Sequence, residues 1–373
     1  MSERLREVAG AFEISGRWLG SQRFGSGHIN DTYLAVFEDA GRTTRWVQQR
    51  INRSVFRDPE QVMENVARVT EHQQRVLQRT GAPDAGRRAL TLVPARSGGF
   101  SFVDAAGEHW RSYRFIEGAS SQDVIRSAAS ARMAAAAFGC FQAQLTDLPG
   151  PRLHETIPRF HHGRTRLEAL IEAARTDPHA RLADCRKELE FVLAREPMVD
   201  RLVDLHENGV LPERITHNDT KLNNVLLDDR TGEALCVIDL DTVMPGLVLY
   251  DFGDLVRTAT SPTAEDERDL SRVGLRAEMF AALAEGYLEG AGGFLTAAER
   301  AELAFSGLLM TLVVGMRFLT DHLSGDTYFR VHRPGHNLDR CRTQLRLVES
   351  MERQREQMET IAEDAARRWI RRA

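Results

Sequence analysis

Several features that mark particular classes of protein are scarce or missing in this chain of 373 residues. A formal net charge of −5 argues against general nucleic-acid binding, which needs a basic face. The four cysteines are scattered without a Cys-x-x-Cys pair, so we expect buried thiols in a reducing cytoplasm and neither a zinc site nor a disulfide framework. No apolar run approaches the length of a membrane span, so we expect no membrane contact.

The rest of the composition is typical of a globular protein. Hydrophobic residues make up 42% and charged residues 28% of the chain, as in ordinary globular domains. The chain is too long for one simple core and suits two lobes. The first residues, from Ser2 to Glu7, are rich in charge and predict the start of a helix rather than a signal peptide. We therefore expect a cytoplasmic protein, and the sequence makes no prediction of its oligomeric state.

The predicted elements change in character near residue 116. A helix over 3–20 is followed by a strand–turn–strand unit over 22–37, by further strands at 46–51 and 91–116, and by one helix that begins at Asp58. Long helical segments then occupy most of the chain, at 121–147, 164–176, 182–208, 265–290, 297–323 and 336–372. This order predicts an α+β, two-lobed, protein-kinase-like fold. Its β-rich N-terminal lobe with one main helix covers 1–116, and its larger, mostly helical C-terminal lobe covers 117–373.

A His-x-Asp-x-x-x-x-Asn sequence formed by His217, Asp219 and Asn224 is the most informative motif. A further carboxylate, Asp239, ends a later apolar run, fifteen residues beyond Asn224. Phosphoryl transfer from a nucleotide needs one carboxylate to orient and deprotonate the attacking hydroxyl, and an Asn and an Asp to hold magnesium on the phosphates. The residue types and their order therefore predict a kinase with Asp219 as the catalytic base and with Asn224 and Asp239 as magnesium ligands.

The same motif is also typical of a simple polar turn, because Asn and Asp side chains readily bond to nearby backbone groups. Its flanks favour the catalytic interpretation. The apolar runs 225–227 and 235–238 predict the two strands of a hairpin around the turn 228–232. A hairpin places Asn224 and Asp239 at the same end of its strand pair, where both side chains can serve one metal ion.

Two segments of the N-terminal region are predicted to bind the nucleotide. The turn formed by Gly25, Ser26 and Gly27 lies between two strands, and its glycines let backbone N–H groups approach phosphate oxygens closely. Arg50, on the third strand, stands where a kinase usually has a lysine and is expected to bind phosphates. The alternative for Arg50 is an exposed strand cation. Its expected partner is Glu64 on the following helix, with Glu60 as the alternative.

With this order of motifs in place, the chain resembles the aminoglycoside phosphotransferase-like kinases, a superfamily that includes choline, homoserine and methylthioribose kinases. A narrower resemblance is to the N-acetylhexosamine 1-kinases. It rests on four segments and runs from about residue 20 to about 335: 27–32 (GHINDT), 49–52 (QRIN), 217–221 (HNDTK) and 237–246 (VIDLDTVMPG). The resemblance implies ATP and Mg²⁺ as cofactors and phosphorylation of the anomeric hydroxyl of N-acetylglucosamine or N-acetylgalactosamine. An arginine at position 50 is what this subgroup shows.

Asp251-Phe252-Gly253 spells the metal-binding motif of protein kinases, but it lies 32 residues after Asp219. Asp239 lies 20 residues after Asp219, which is the spacing of the metal ligand in protein kinases. By resemblance to the phosphotransferase family, Asp251 is an aspartate at a helix start that braces the catalytic loop. The connector backbone at Phe115, Ile116 and Glu117 is expected to bind adenine.

A neutral N-acetylated sugar needs hydrogen bonds and an aromatic side chain rather than a strong charge field. The polar residues His28, Asn30 and Asp31 follow the glycine turn and are candidates for sugar binding. By resemblance to the hexosamine kinases, Arg317 and Tyr328 also contact the sugar. From the residues alone, Arg317 is equally a cation at a helix end and Tyr328 a core aromatic.

Two other functions remain open from the sequence. One is the same chemistry on another hydroxyl acceptor, namely a different hexose, an amino sugar, a choline-like alcohol or an aminoglycoside. The other is a nucleotide-binding regulator without transfer activity, which the presence of all three catalytic side chains disfavours. The expected partners are therefore ATP and a small-molecule sugar, with no nucleic acid.

Overall fold

The computed structural model describes residues 2–25, 29–122, 125 and 127–371. Its strands, in chain order, are β1 (Arg17–Arg23), β2 (Asp31–Asp39), β3 (Arg42–Arg50), β4 (Phe102–Val103), β5 (His109–Arg114), β6 (Ala119–Ser121), β7 (Arg214–Thr216), β8 (Val225–Asp228), β9 (Ala234–Val237) and β10 (Met244–Gly246). Its helices are α1 (Ser2–Ala11), α2 (Pro59–Arg79), α3 (Ala128–Gln144), α4 (Gly163–Thr176), α5 (Arg186–Leu193), α6 (Arg201–Glu207), α7 (Val248–Ala259), α8 (Ala277–Ala291), α9 (Ala297–Ala301), α10 (Leu303–Leu323), α11 (His336–Arg353) and α12 (Arg355–Ile370).

Backbone contacts divide the chain into two compact units. Unit 1 comprises Met1–Ser120, Asp147–Pro158 and Leu226–Met244, and unit 2 comprises Ser121–Thr146, Arg159–Val225 and Pro245–Ala373. The sequence places a single boundary after residue 116, whereas these units place the first boundary after Ser120 and add two later segments to the N-terminal part.

Unit 1 is built on a five-stranded sheet in the order β1-β2-β3-β5-β4, in which neighbouring strands are antiparallel. Helix α1 packs on this sheet through Val8, and Phe12 follows directly after the helix; both are fully buried together with Ala35. The helix predicted over 3–20 ends at Ala11, so that prediction is wrong for its second half. The chain enters β1 through Gly16, whose φ of 95° and close approach to the Glu38 carbonyl leave no room for a side chain.

The predicted hairpin is confirmed: β8 and β9 pair in a three-stranded sheet of order β6-β8-β9. Its turn is closed by the Asp228 carboxylate, which accepts hydrogen bonds from the N–H groups of Arg230 and Thr231 at 3.0 Å each. Gly232 completes the turn with a φ of 72°. The hairpin fixes the backbone on either side of the motif residues, because β8 follows Asn224 directly and β9 ends two residues before Asp239.

Unit 2 surrounds α10, a helix of 21 residues with an 18-residue window of mean hydropathy 1.7. This helix is long and apolar enough to cross a membrane, so the expectation that no run approaches such a length was wrong. Within the described ranges it is the one helix with these properties, and 83% of its apolar window is buried inside the protein. It packs against α4, α7 and α11 and forms the core of the unit.

Several helix boundaries differ from the predicted ones. The segment 182–208 is interrupted at Pro197, between α5 and α6, because proline lacks the N–H that a continuous helix requires. Helix α8 begins at Ala277 rather than near 265. Helix α7 is missing from the helical segments predicted from the residues, although the family resemblance placed a helix start at Asp251.

Helix α3 is held unusually close to α8. A Cβ atom at Gly286 would lie 2.0 Å from the carbonyl oxygen of Arg132. A Cβ atom at Gly139 would likewise lie 2.8 Å from the backbone of α8. Close packing through glycine lets the two helices approach each other more nearly than larger residues allow. It also sets the position of Gln142, a buried α3 residue that contacts the candidate site.

Candidate active site

The catalytic loop, residues 217–224, begins directly after β7 in unit 2. His217 is fully buried, and the rings of Phe138 and Phe141 lie 5.2 and 5.7 Å from its imidazole. Asn218 then adopts a φ of 64°, in the left-handed region that Asn tolerates better than most residues. The chain therefore turns sharply between the buried His217 and the half-buried Asp219.

The carboxylate of Asp251, in the first turn of α7, holds this turn in place. It accepts hydrogen bonds from the N–H groups of His217 (2.8 Å) and Asn218 (2.7 Å), and from the side-chain amide of Gln142 (2.6 Å). Burial raises the pKa of Asp251 to about 6, although His217 and these donors oppose the rise. The predicted bracing role of Asp251 is confirmed.

Asp219 is bound by two neighbours from the same loop. Its Oδ2 lies 2.8 Å from the Lys221 ammonium and accepts a hydrogen bond from Nδ2 of Asn224 at 3.0 Å. Burial acts to raise the pKa of Asp219, but Lys221 outweighs it, and with His217 and Asn224 brings the pKa down to about 2. Asp219 is therefore ionised at neutral pH, the state in which a carboxylate accepts a hydrogen bond from a hydroxyl group. Lys221 belongs to the motif, but its role was not predicted.

The predicted magnesium ligands lie in different units. In unit 2, Asn224 uses its Nδ2 atom to bond Asp219, which leaves its amide oxygen as the atom that can bind a cation. In unit 1, Asp239 has a φ of 62° and follows β9. Amide and carboxylate oxygens suit magnesium, which takes few protein ligands and relies on nucleotide phosphates for others. The described part of the chain contains no cluster of three His, Cys, Asp or Glu side chains that could hold a metal ion.

Arg50, at the end of β3, is held by two carboxylates of unit 1. Its guanidinium pairs with Asp31, where Nε donates at 2.9 Å, and with Glu108 at 3.2 Å. Glu64 instead contacts the His154 imidazole at 2.8 Å, so the prediction that Glu64 holds Arg50 is wrong. The reason is strand pairing, since the β2–β3 register places Asp31 directly opposite Arg50.

The glycine turn is only partly described. Gly25 has a φ of 79°, as expected for the start of a tight turn, whereas Ser26, Gly27 and His28 lie outside the described residues. A cavity of about 670 Å³ lies next to Arg50 in unit 1. Its lining contains three arginines and two carboxylates and therefore carries a net positive charge. The residues that line it are Ile29, Asp31, Arg50, Asn52, Arg53, Ser54, Arg57 and Glu108.

Asn30 belongs to a buried polar chain in unit 1. Its Nδ2 donates to the Asp241 carboxylate at 2.5 Å, and Asp241 also pairs with the Arg111 guanidinium. Arg111 and Asp241 are almost completely buried. Burial would lower the pKa of Arg111, but the Asp241 charge raises it, so the guanidinium stays charged. Asn30 was predicted to contact the sugar, and the structure shows its amide nitrogen bound to Asp241.

The connector predicted to bind adenine makes several contacts inside unit 1. The N–H group of Phe115 bonds to the Arg45 carbonyl at 3.2 Å, and the Arg45 guanidinium stacks on the Phe115 ring and pairs with Glu117. The Glu117 carbonyl accepts a hydrogen bond from Arg87 at 3.1 Å. Ile116, which lies between Phe115 and Glu117 in the sequence, is buried. Phe115 and Glu117 thus already use one backbone group each.

The structure brings the two predicted sugar residues of unit 2 together. Nη2 of Arg317 lies 3.4 Å from the Tyr328 hydroxyl, and the guanidinium lies 5.6 Å from the centre of the Tyr328 ring. Tyr328 is 47% exposed, which excludes the alternative that it is a core aromatic. Arg317 belongs to α10, and its guanidinium also stacks on Phe160 at 4.5 Å.

His161 was not singled out from the sequence. Its buried imidazole donates from Nε2 to the carbonyl oxygen of Asn218 at 2.9 Å, one residue before Asp219. Burial and the charge of Arg317 lower its pKa to about 3, so the ring is neutral and its proton serves this bond. Asn218 is therefore held on both sides, by Asp251 at its N–H and by His161 at its carbonyl. The sequence around it, with His162 directly after it and arginines at 159 and 164, gives no signal for such a role.

Replacing His161 by phenylalanine should lower kcat by about 10- to 100-fold and leave the KM for ATP nearly unchanged, because Asp219 loses part of its positioning. His161→Gln should recover much of the rate, since its side-chain amide can donate in place of Nε2. Steady-state kinetics with a thermal-unfolding control will check this. A full kcat in a folded phenylalanine variant would show that the bond to Asn218 does not matter for turnover.

Comparison with known proteins adds two findings. The model of a family described as "phosphotransferase enzyme family" matches residues 21–304. The fold is similar to that of a choline kinase from Cryptosporidium parvum (TM-score 0.58, 12% identity, 95% of this chain and 96% of that chain). It is also similar to that of an aminoglycoside phosphotransferase from Alicyclobacillus acidocaldarius (TM-score 0.56, 12% identity, 98% and 96%) and an ethanolamine kinase from Plasmodium vivax (TM-score 0.52, 14% identity, 86% and 80%). The predicted α+β, kinase-like fold class is thereby confirmed.

Proposed function

This chain belongs to the phosphotransferase enzyme family, and we propose that it is an ATP- and magnesium-dependent kinase that phosphorylates the C1 hydroxyl of an N-acetylhexosamine. The observation that supports transfer activity is the ionised Asp219, held by Lys221 and Asn224 in a loop that Asp251 braces. The narrower choice of acceptor rests on the sequence resemblance to N-acetylhexosamine 1-kinases, with Arg317 and Tyr328 as sugar contacts.

The proposed reaction is a direct displacement at phosphorus. The C1 oxygen of the sugar forms a bond to the γ-phosphorus of ATP, and the bond from that phosphorus to the β,γ-bridging oxygen breaks, so that ADP leaves with the electron pair. The hydroxyl proton passes to Asp219 and then to water. Since the pKa of Asp219 is about 2, the carboxylate is a weak base whose main contribution is to orient the hydroxyl.

The other proposed roles concern the phosphates. Asn224 and Asp239 would hold magnesium through their side-chain oxygens. When bound, magnesium neutralises charge on the phosphate oxygens. Arg50 and the glycine turn would bind the phosphates. The positive lining of the cavity next to Arg50 supports that assignment, and the two carboxylates that already pair with Arg50 would orient its guanidinium.

Acceptors that carry an amine are a less suitable alternative. Choline-like alcohols and aminoglycosides are cations at neutral pH, and binding them calls for carboxylates. The residues around the predicted sugar contacts of unit 2 include two arginines, Arg166 and Arg317, and a neutral His161. These two guanidinium groups disfavour a cationic group of the acceptor beside them and favour a neutral or acidic one.

Magnesium-dependent ATP consumption should be measured with N-acetylglucosamine, N-acetylgalactosamine, glucose, galactose, glucosamine, choline and kanamycin. We expect the two N-acetylated sugars to give the highest kcat/KM. Turnover on another compound alone would keep the kinase and refute the proposed acceptor. ATP binding without turnover on any acceptor would favour a regulator without transfer activity.

A further inference from the structure

Phe160 brings two guanidinium groups together in unit 2. Its ring stacks on Arg317, with Cζ of Arg317 4.5 Å from the ring centre. Its carbonyl oxygen accepts hydrogen bonds from Nε and Nη2 of Arg166 at 2.9 and 2.8 Å. Because both arginines contact the same residue, their positive charges lie near each other, which is unfavourable unless a negative charge joins them.

Over the ranges that the structure describes, neither Arg166 nor Arg317 forms an ion pair with a carboxylate. Arg164, two residues before Arg166 on the same helix, shows the contrast, since it pairs with both Asp200 and Glu196. An arginine placed beside a second arginine without a counter-ion is a feature that binding sites for anions commonly show.

Arg317 is held in a way that leaves its donors available. Three aromatic rings support its guanidinium, those of Phe160, Tyr328 and Phe329, at 4.5, 5.6 and 5.3 Å. The hydrogen bond to the Tyr328 hydroxyl is long, at 3.4 Å. A guanidinium has five N–H donors in a planar fork that matches the two oxygens of a carboxylate. The rings therefore fix the fork in position before a ligand arrives.

The same cluster is joined to the catalytic loop through His161. The His161 ring lies 4.4 Å from the Phe160 ring, and its Nε2 bonds to the carbonyl of Asn218, the residue before Asp219. Its Nδ1 is buried and has no protein partner. A ligand bound to the two arginines would thus lie near Asp219, which is where the acceptor of a phosphoryl transfer must be.

We propose that Arg166 and Arg317 bind a carboxylate of the acceptor, so that the preferred acceptor is an acidic N-acetylhexosamine. This inference rests on the proposed function and narrows its substrate class. The carboxylate of the sugar either replaces the exocyclic hydroxymethyl group, as in a uronic acid, or belongs to an ether substituent, as in N-acetylmuramic acid. The exposed ring of Tyr328 offers an apolar surface next to the charges. The transfer chemistry at C1 is unchanged.

The test compares kcat/KM for N-acetylglucosaminuronic acid and N-acetylmuramic acid with kcat/KM for N-acetylglucosamine. We expect at least one acid to be preferred by about tenfold or more. Arg166→Gln should lower the ratio of kcat/KM for the acid to kcat/KM for the neutral sugar by about tenfold or more. Arg166→Lys keeps the charge but loses the planar fork of donors, so it should lower this ratio less than Arg166→Gln does. Arg175→Gln is the matched control, since Arg175 is an exposed residue of the same helix that pairs with Glu172.

Two results would overturn the inference while leaving the proposed function intact: a neutral N-acetylhexosamine used as well as either acid, or an acid preference that survives Arg166→Gln. No turnover of any N-acetylhexosamine, acidic or neutral, with turnover of another acceptor, would refute the proposed function itself. Should Arg166→Gln fail to fold, calorimetric binding of each acid and of the neutral sugar to the unaltered protein decides the same question, and equal or weaker binding of the acids refutes the inference.

Discussion

Asp219→Ala is expected to lower kcat by about 10²- to 10⁴-fold, the range that a positioned acid or base contributes. The physical reason is that no other described carboxylate accepts a hydrogen bond from both Asn224 and the Lys221 ammonium in this loop, so nothing nearby replaces Asp219 as acceptor of the hydroxyl proton. Binding of ATP should change little. Steady-state kinetics and a separate measurement of nucleotide binding test both statements.

Two controls make the Asp219 result specific. Asp219→Asn retains the shape and removes the charge, and it should lose nearly as much activity as the alanine variant. Asp364→Ala removes an exposed carboxylate of α12 that pairs with Arg367, and it should leave kcat unchanged. An alanine variant at 219 that keeps more than a few per cent of the rate would refute the assignment of Asp219 as the base.

The second large effect is expected for Asp251→Ala, which should lower the free energy of unfolding by about 2–4 kcal/mol and reduce kcat by about 100-fold or more. The change removes the carboxylate that accepts hydrogen bonds from the buried N–H groups of His217 and Asn218, and each hydrogen bond lost at a buried group costs about 1–3 kcal/mol. Both N–H groups belong to the loop that positions Asp219. Denaturant unfolding and kinetics measure the two effects independently.

The stability loss in Asp251→Ala should also depend on pH. Because the pKa of Asp251 is raised in the folded state to about 6, the folded protein binds a proton more readily than the unfolded chain. The stability that this carboxyl contributes is therefore fully present below about pH 4 and decreases as the pH rises through about 6. The difference between the unaltered protein and the variant should be greater at pH 5 than at pH 8. The opposite trend would contradict the raised pKa.

The catalytic loop and the hairpin could be predicted because their signals are local. His217, Asp219 and Asn224 stand at fixed spacing in one loop, and the turn residues between β8 and β9 specify a hairpin by themselves. The bracing role of Asp251 was implied by the family resemblance instead, because its partners His217 and Asn218 lie 34 and 33 residues earlier in the chain.

The contacts that sequence reasoning missed join residues from distant parts of the chain. Arg50 has Asp31 as its partner because two strands pair in register, and nothing in the helix that carries Glu64 reveals this. Arg111 lies in β5 and is almost completely buried, and its partner Asp241 lies 130 residues later in the chain. His161 and Arg166 are ordinary polar residues in the sequence, and only folding brings His161 to Asn218.

Helix α10 shows a limit of prediction from composition. Its composition passes the length and hydropathy criteria for a membrane span, and composition alone does not say what surrounds such a helix. In the fold, neighbouring helices cover it, and the residues Arg317, Asp321 and His322 occupy its last turns. The polar end of this buried apolar helix thereby supplies Arg317, one of the residues proposed to bind the acceptor sugar.

The most direct test of the proposed reaction is the phosphorus NMR spectrum of the product formed from ATP, magnesium and an N-acetylhexosamine. We expect a sugar phosphate whose phosphorus couples to the anomeric proton, formed together with ADP and lost in Asp219→Ala. A phosphate on any other hydroxyl of the sugar, or release of inorganic phosphate without a phosphorylated sugar, would contradict it.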